Sequence, residues 1–252
     1  MIPTPIRVAA RTDTGNIREI NEDAVVVLPE YGVAALADGM GGHNAGEVAS
    51  QLAVETIAME LLAAMQEPAA SMVGVGPAIE AANRAIRDLI GMQPELTGMA
   101  TTVALGCFHD GVVDFGHVGD SRIYRLRDGV LRCLTRDHSM IQELVDQGVF
   151  GSLEEAAASG VRNNILTRGI GIDPDVQVDT GREMLRPGDI YLLCSDGLSN
   201  MVEDAAIGEV LSRNLDDLEE AGDRLLAMAL ENGGLDNVSL ILVQVAGDAG
   251  KE

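Results

Sequence analysis

The order of the apolar segments is the feature that most constrains the fold of this chain. Short apolar runs typical of strands occur in groups, and helical patterns occur in pairs between the groups. The predicted strands are 24–28, 33–37, 102–108, 112–118, 122–126, 130–134, 189–195 and 238–245. Turns such as Asp110-Gly111 and Asp128-Gly129 join neighbouring runs as hairpins. Because a doubly wound parallel sheet requires strict alternation of strands and helices, this order predicts an α+β fold with antiparallel sheets covered by helices.

Helical periodicity predicts helices over 45–65, 76–90, 140–147 and 218–231. The stretch 139–171 is less apolar and richer in glycine, serine and asparagine, which predicts an inserted flap. The chain has no internal repeat and no linker long enough to separate two domains. We therefore expect a single domain over 1–252.

Composition excludes several classes of partner. The chain of 252 residues has 40 acidic and 17 basic side chains, a net charge of −23 and only 2% aromatic residues. Nucleic-acid binders need a basic surface and often aromatic stacking platforms, so we expect no nucleic-acid partner. We also expect no membrane partner, because we find no apolar stretch of about 18 residues and no secretory signal. Three widely spaced cysteines fit a reducing compartment, which predicts a cytoplasmic protein.

Acidic residues lie at the ends of the predicted strands. The pairs concerned are Glu22-Asp23, Asp38-Gly39, Gly119-Asp120, Asp196-Gly197 and Asp236-Asn237. A sheet holds such side chains rigidly and brings them to one edge, where their oxygens suit Mg²⁺ or Mn²⁺ better than zinc. Asp-Gly after a strand is also an ordinary turn signal. The spacing alone therefore leaves a carboxylate metal site and a set of simple turns both open.

These segments resemble the PPM-type (type 2C) metal-dependent protein serine/threonine phosphatases of the bacterial branch. The resemblance runs in family order from about residue 10 to 245. The segments that carry it are 14–24, Ala37-Asp-Gly-Met-Gly-Gly42, 98–103, Gly119-Asp-Ser-Arg122, 134–139, Ser195-Asp-Gly197 and Asp236-Asn237. It implies a four-layer αββα sandwich, in which two antiparallel sheets are flanked by helix pairs.

The resemblance also implies a cofactor of two Mn²⁺ or Mg²⁺ ions. In that scheme Asp38 bridges both ions and the Gly39 carbonyl binds one of them. Asp196 and Asp236 complete the first ion, and Glu22 holds the second, partly through water. A third, weaker metal position is implied at Asp120 together with Asp196. Asp23 is expected to orient the ligand waters, and Asn237 either does the same or only forms the turn before the last strand.

Arg18 occupies the position of the family's phosphate-binding arginine, where a guanidinium can grip two phosphoryl oxygens. Without the resemblance, Arg18 is equally a surface residue that pairs with Glu19 or Glu22. Met40 stands where some relatives carry a histidine proposed to protonate the leaving group. A metal-bound water is therefore the expected general acid, with His43 as the other candidate.

Other polar residues of the motifs receive weaker assignments. His117, His138 and Arg122 are expected to be structural. In the flap, Arg162 and Arg168 either attract a phosphopeptide or are solvated.

The resemblance implies that a metal-bridging hydroxide hydrolyses phosphoserine and phosphothreonine on proteins. The expected biological role is signal transduction, through reversal of a bacterial Ser/Thr kinase that would also be a partner. Two alternatives remain, a regulatory phosphatase dedicated to one non-kinase partner and a non-catalytic phosphoprotein-binding module. A cysteine phosphatase is disfavoured because no cysteine is followed six positions later by arginine.

Overall fold

Two antiparallel sheets stack face to face in the centre of the computed structural model, which describes residues 2–41, 45–66, 74–161 and 165–246. One sheet contains β2 (Asp23–Leu28), β3 (Val33–Met40), β5 (Val103–His109), β6 (Val112–Val118) and β9 (Asp179–Met184), in that order, with the short β4 (Ala100–Thr101) beside β3. The other sheet has the order β1 (Ile6–Asp13), β11 (Val238–Val245), β10 (Ile190–Cys194), β7 (Arg122–Arg127) and β8 (Val130–Cys133). Every named strand pair is antiparallel.

The apolar core between the sheets is built from side chains of both. Leu36 and Phe108 of the first sheet lie in one buried cluster with Tyr191, Leu193 and Ile241 of the second. The rings of Phe108 and Tyr191 meet edge to face, with 5.3 Å between their centroids. This shared core fixes the two sheets relative to each other.

Helices cover both outer faces. Against the first sheet pack α1 (Ala45–Gln66) and α2 (Val75–Met92), and against the second pack α6 (Asp204–Arg213) and α7 (Leu218–Glu231). The remaining helices are short: α3 (Met140–Asp146), α4 (Leu153–Ala158) and α5 (Asp196–Ser199). The predicted four-layer αββα sandwich is therefore confirmed.

The expectation that no apolar stretch could span a bilayer is wrong for α1. This helix of 22 residues is long and apolar enough by length and composition. In the structure its apolar face lies in the protein core, with Ala49, Ala53, Ile57 and Leu61 buried against β2, β3 and α2. Packing inside the protein accounts for the apolar composition of this helix.

The eight predicted strands and four predicted helices are all present, with ends shifted by at most a few residues. The sequence patterns did not predict β1, β4, β9, α4, α5 or α6. In β1, Arg7 and Arg11 lie on the face opposite to Ile6, Val8 and Ala10, so the strand contains no long apolar run, and Arg11 bonds to Asp223 of α7. In β9, the only apolar side chain is Met184, which is 67% exposed. Edge strands of this kind lack the apolar signature on which sequence prediction depends.

The stretch 139–171 contains α3 and α4 and then returns to the end of the first sheet. A bridge between Thr101 and Ile170 joins the returning segment to β4, and a second bridge joins Ser139 to Leu166. Residues 42–44 and 162–164 lie outside the described residues, and with them the predicted candidates His43 and Arg162.

Candidate metal centre

The acidic residues predicted at strand ends all lie at one end of the two sheets. Asp23 and Asp38 are direct register partners on β2 and β3. In the other sheet, Cys194 at the end of β10 pairs with Arg122 at the start of β7 and with Leu240 near the start of β11. Because β6 runs parallel to β3 and ends at the same edge, the loop that carries Asp120 opens on this end. The loops that carry Asp196 and Asp236 open on the same end, since both residues line a cavity there together with Asp38 and Asp120.

A cavity of about 480 Å³ lies between these loops. Its lining contains seven of the predicted site residues: Arg18, Glu22, Asp38, Gly39, Asp120, Asp196 and Asp236. Asp23 lies behind this lining, and its Oδ2 accepts a hydrogen bond of 2.9 Å from the Ser195 hydroxyl. The structure thus brings the predicted ligands together in one place.

The carboxylates of the cavity strongly perturb one another. Burial, followed by repulsion from Asp23 and Asp196, raises the pKa of Asp38 well above its ordinary value. Burial and the neighbouring Asp196 raise the pKa of Asp120 to about 7. Burial raises the pKa of Asp23 to about 7 and that of Asp196 to about 6, with repulsion from neighbouring carboxylates adding to both. Such a cluster needs cations or protons to be stable.

The residues present fit divalent cations. The Asp23 Oδ1 atom is buried and has no hydrogen-bond partner among the described residues. Four neighbouring carboxylates, those of Asp23, Asp120, Asp196 and Asp236, repel the Asp38 carboxylate, and cations bound among them would relieve this repulsion. The ligand set consists of oxygen atoms, which favours Mg²⁺ or Mn²⁺.

Asp38 is positioned by two threonines whose roles the sequence patterns did not predict. The Thr102 hydroxyl accepts a hydrogen bond of 3.0 Å from the Asp38 backbone N–H, and it lies 2.6 Å from the Ser121 hydroxyl. The Thr101 hydroxyl donates to the Asp38 carbonyl at 2.8 Å. Both threonines are buried. In the sequence, segment 98–103 contributes only to the family resemblance, and the signal for this support is a pair of adjacent threonines at the start of an apolar strand.

Asn237 connects two loops of the site. Its side-chain amide donates to the carbonyls of Thr14 and Ile20, both at 2.9 Å, and its side-chain oxygen accepts from the Glu22 backbone N–H at 2.7 Å. These bonds hold the 14–22 loop over the start of β11. Asn237 therefore supports the loop that carries Arg18 and Glu22.

Arg18 points into the cavity. Its Nη2 donates to Asp236 Oδ2 at 2.7 Å, and its Nη1 lies 3.9 Å from Glu22 Oε2. Its side chain is 47% exposed, so part of the guanidinium remains open to solvent. Pairing with Glu19, one of the two surface partners considered, is not observed.

Two glycines permit close approach of the backbone at the site. A Cβ on Gly39 would overlap the carbonyl oxygens of Gly46 and Glu22, and one on Gly197 would overlap the carbonyl oxygen of Asn237. Gly46, in the first turn of α1, in turn lies against the Glu22 carboxylate. Glycine at 39 and 197 therefore brings β3, α1, α5 and the start of β11 into contact around the cavity.

A second group of polar residues lies at the base of the flap. The rings of His117 and His138 stack with 4.6 Å between their centroids, and His138 Nε2 lies 3.3 Å from Asp179 Oδ2. Their ligand atoms are close enough for a metal ion. However, His138 Nδ1 accepts from the Gly119 backbone N–H, so the proton is on Nε2, and the Arg168 guanidinium bonds to Asp179 at 3.0 Å. This arrangement is filled by protein hydrogen bonds and does not fit a cation.

Arg122 and Arg168 both make structural ion pairs. Arg122 donates to both oxygens of Asp137, at 2.9 and 2.7 Å, and to the Tyr124 hydroxyl at 3.0 Å. Arg168 is tied to Asp179. The described part of the flap therefore provides no arginine directed at the cavity.

Comparison with known proteins identifies the family of this chain. Residues 18–235 match the family model of protein phosphatase 2C. The serine/threonine protein phosphatase PstP of Mycobacterium tuberculosis is 41% identical over 241 residues, which is 95% of this chain and 45% of that protein. This chain therefore spans about half the length of that relative.

Two further alignments cover nearly the whole length of both this chain and the similar protein. The serine/threonine phosphatase stp of Listeria monocytogenes is 37% identical over 239 residues, 93% of this chain and 94% of the relative. A crystal structure of the PstP catalytic domain in complex with two manganese ions aligns with a TM-score of 0.82 and 38% identity, over 96% of this chain and 99% of that one. The family implied by the motifs is thus confirmed, and the chain belongs to the protein phosphatase 2C family.

Proposed function

We propose that this chain hydrolyses phosphoserine and phosphothreonine on proteins with the help of two divalent cations. One observation carries the proposal: both sheets bring carboxylates to a single cavity around Asp38, whose pKa is raised well above its ordinary value by burial and then by repulsion from its neighbours. Bound cations neutralise the negative charge of such a cluster and thereby stabilise its ionised carboxylates. Membership of the protein phosphatase 2C family supports the same reaction class.

We assign the residues around the cavity to two ions. In this proposal Asp38 contacts both ions and the Gly39 carbonyl contacts one. Asp196 and Asp236 complete the first ion, and Glu22 holds the second. When bound, Mn²⁺ or Mg²⁺ supplies an activated water nucleophile and stabilises charge on the phosphoryl group. We further propose that Asp120, together with Asp196, forms a weaker third position, and that Asp23 orients ligand waters from behind.

Arg18 is the proposed phosphate-binding residue. Its guanidinium is held at the cavity by Asp236 and is partly open to solvent, so its remaining N–H groups can donate to phosphoryl oxygens. A planar guanidinium matches two such oxygens at once, which a lysine ammonium does not.

The leaving oxygen must receive a proton. Met40 lines the cavity at the position where some relatives have a histidine, and a thioether cannot donate a proton. No histidine among the described residues lines the cavity. We propose that a water molecule in the cavity acts as the general acid.

The proposed substrates are phosphoproteins, including those produced by a Ser/Thr kinase that this enzyme would oppose.

We also propose that the whole chain, 1–252, forms one catalytic domain with a flap at 139–171. The three cysteines are free, which supports the proposed cytoplasmic location.

The proposal is tested with a phosphothreonine protein and with an aryl phosphate, each assayed with Mn²⁺ and with chelator. We expect phosphate release with Mn²⁺ only. Asp38→Asn should lower kcat by at least about a hundredfold, because it removes the carboxylate expected to contact both ions. The control, Asp216→Asn, changes an exposed carboxylate between α6 and α7 and should keep full activity. Full activity in chelator, or in Asp38→Asn, would contradict the proposal.

A further inference from the structure

The wall of the cavity formed by Met40, Ile165, Leu166 and Ile172 has no role in the chemistry proposed above. We infer that this apolar wall binds an apolar side chain next to the phosphorylated residue, so that the enzyme prefers phosphosites with apolar neighbours. The inference rests on the proposed function, because it assigns a substrate class to the same cavity.

Two of the four residues of the apolar wall are exposed. Ile165 is 42% exposed and Ile172 is 50% exposed, Met40 and Leu166 are partly buried, and all four line a cavity that also contains the carboxylates. Single exposed apolar residues need no explanation, but two that share one cleft with further apolar side chains indicate a binding surface.

The backbone behind the apolar wall is anchored at several points. Met140 N–H donates to the Ile165 carbonyl at 2.8 Å, and Thr101 and Ile170 exchange two backbone hydrogen bonds of 3.1 and 2.9 Å. The Asn83 side chain accepts from the Gly171 N–H at 2.7 Å. These bonds fix the segment that presents the apolar side chains, so little ordering is needed when a ligand binds.

Two side chains of the apolar wall meet above Gly169. A Cβ at residue 169 would lie 2.9 Å from Met40 Cε and 3.0 Å from Ile172 Cδ1. The absence of a side chain on Gly169 therefore lets the end of β3 and the returning flap segment form one apolar surface. This surface joins the metal-binding residues directly, since Met40 follows Gly39 in the chain.

The dimensions of the cavity place the residues that flank the phosphorylated residue close to the apolar wall. A phosphoryl group at Arg18 and Asp38 occupies only part of about 480 Å³. Residues on either side of the phosphorylated one follow at about 3.3 Å per residue in an extended peptide, so the nearest neighbours remain within the cavity or at its rim. An apolar neighbour gains by burial there, whereas an acidic neighbour would face a chain of net charge −23.

The test compares two phosphothreonine peptides of equal length and charge, one with leucine and one with alanine on both sides of the phosphorylated residue. We expect kcat/KM to be about tenfold higher for the leucine peptide, mainly through KM. Equal values for the two peptides would overturn the inference while leaving the proposed function intact. If neither the peptides nor an aryl phosphate is hydrolysed with Mn²⁺, it is the proposed function that fails.

Variants locate the preference. Ile172→Ala combined with Ile165→Ala should reduce the leucine-to-alanine ratio of kcat/KM to near one, and Ile172→Leu should keep it. Met184→Ala is the matched control, because Met184 is 67% exposed at the end of β9 that is distant from the cavity, and it should leave the ratio unchanged. Suppose that the double variant is folded by circular dichroism and keeps the wild-type leucine-to-alanine ratio of kcat/KM. The apolar wall then does not bind the residues next to the phosphothreonine. If the double variant does not fold, Ile172→Ser replaces it and must lower the ratio.

Discussion

At the scale of single residues, the Thr102 hydroxyl holds the backbone of Asp38 in place by accepting the hydrogen bond of its N–H group. Thr102→Val keeps the shape of the side chain but leaves the Asp38 N–H without its acceptor and Ser121 without its partner. We expect a loss of about 1–3 kcal/mol in the free energy of unfolding and a 10- to 100-fold weaker affinity for Mn²⁺. Urea denaturation and calorimetric titration measure these quantities. Thr180→Val, on the exposed edge strand β9, should change stability by less than about 0.5 kcal/mol.

The proposed phosphate binding by Arg18 depends on the planar shape of its guanidinium group. Arg18→Lys keeps the positive charge but loses the planar fork, so we expect kcat/KM for a phosphopeptide to fall about 10- to 100-fold. Inhibition by inorganic phosphate should weaken in parallel, because the same group binds the product. Arg7→Lys changes an exposed arginine at the far end of β1 and serves as control. Unchanged phosphate inhibition in Arg18→Lys would show that Arg18 only pairs with Asp236.

At the scale of elements, the packing of α5 against the start of β11 depends on Gly197, the second residue of α5. A side chain at this position meets the Asn237 backbone, so Gly197→Ala must push α5 away from the start of β11. We expect several kcal/mol of destabilisation together with loss of metal binding, because Asp196 and Asp236 move apart. Gly91→Ala, at an open position in α2, should instead stabilise by about 0.5–1 kcal/mol. Thermal melts with and without Mn²⁺ separate the two outcomes.

The sequence predicted those parts of the site that depend on local pattern. Asp38-Gly39 and Asp196-Gly197 follow apolar runs, so the pattern predicts their positions at strand ends, but only the family resemblance predicts that these ends form one site, because β3 and β10 lie in different sheets. The supports of the site could not be predicted in this way. Ser195 bonds to Asp23 across 172 positions, and Thr102 reaches Asp38 across 64, so neither contact leaves a periodic trace in the sequence. The same limit explains β9, whose place depends on pairing with β6 rather than on its own composition.

At the scale of the whole molecule, the net charge of −23 has two different parts. Many acidic residues lie at the surface, often in pairs with arginine, as Arg11 with Asp223 and Arg182 with Asp114. Such exposed pairs contribute little to stability. A small group is concentrated at the shared end of the two sheets, where burial keeps the charges from being screened by water. The fold therefore maintains an electrostatically unfavourable site that bound cations relieve.

The relation between pH, cations and stability follows from this site. Without metal, the pKa values of Asp23 and Asp120 are about 7 and that of Asp196 is about 6, all raised from 3.8 chiefly by burial. Groups with a raised folded-state pKa contribute stability that is complete below the unfolded-state value and is lost as pH rises through the folded-state value. In chelator, the free energy of unfolding should therefore fall as pH rises from about 4 to about 7.

Cations should reverse this trend, because they bind the ionised carboxylates and compete with protons for them. We expect saturating Mn²⁺ to raise the melting temperature more at pH 8 than at pH 5. In Asp38→Asn the metal-free protein should melt at a higher temperature than wild type at pH 8, because one buried charge is gone, while the shift caused by Mn²⁺ should be lost. Differential scanning calorimetry across this pH range measures both effects. A Mn²⁺ shift of equal size at pH 5 and pH 8 would mean that the carboxylates of the cavity do not hold the cations.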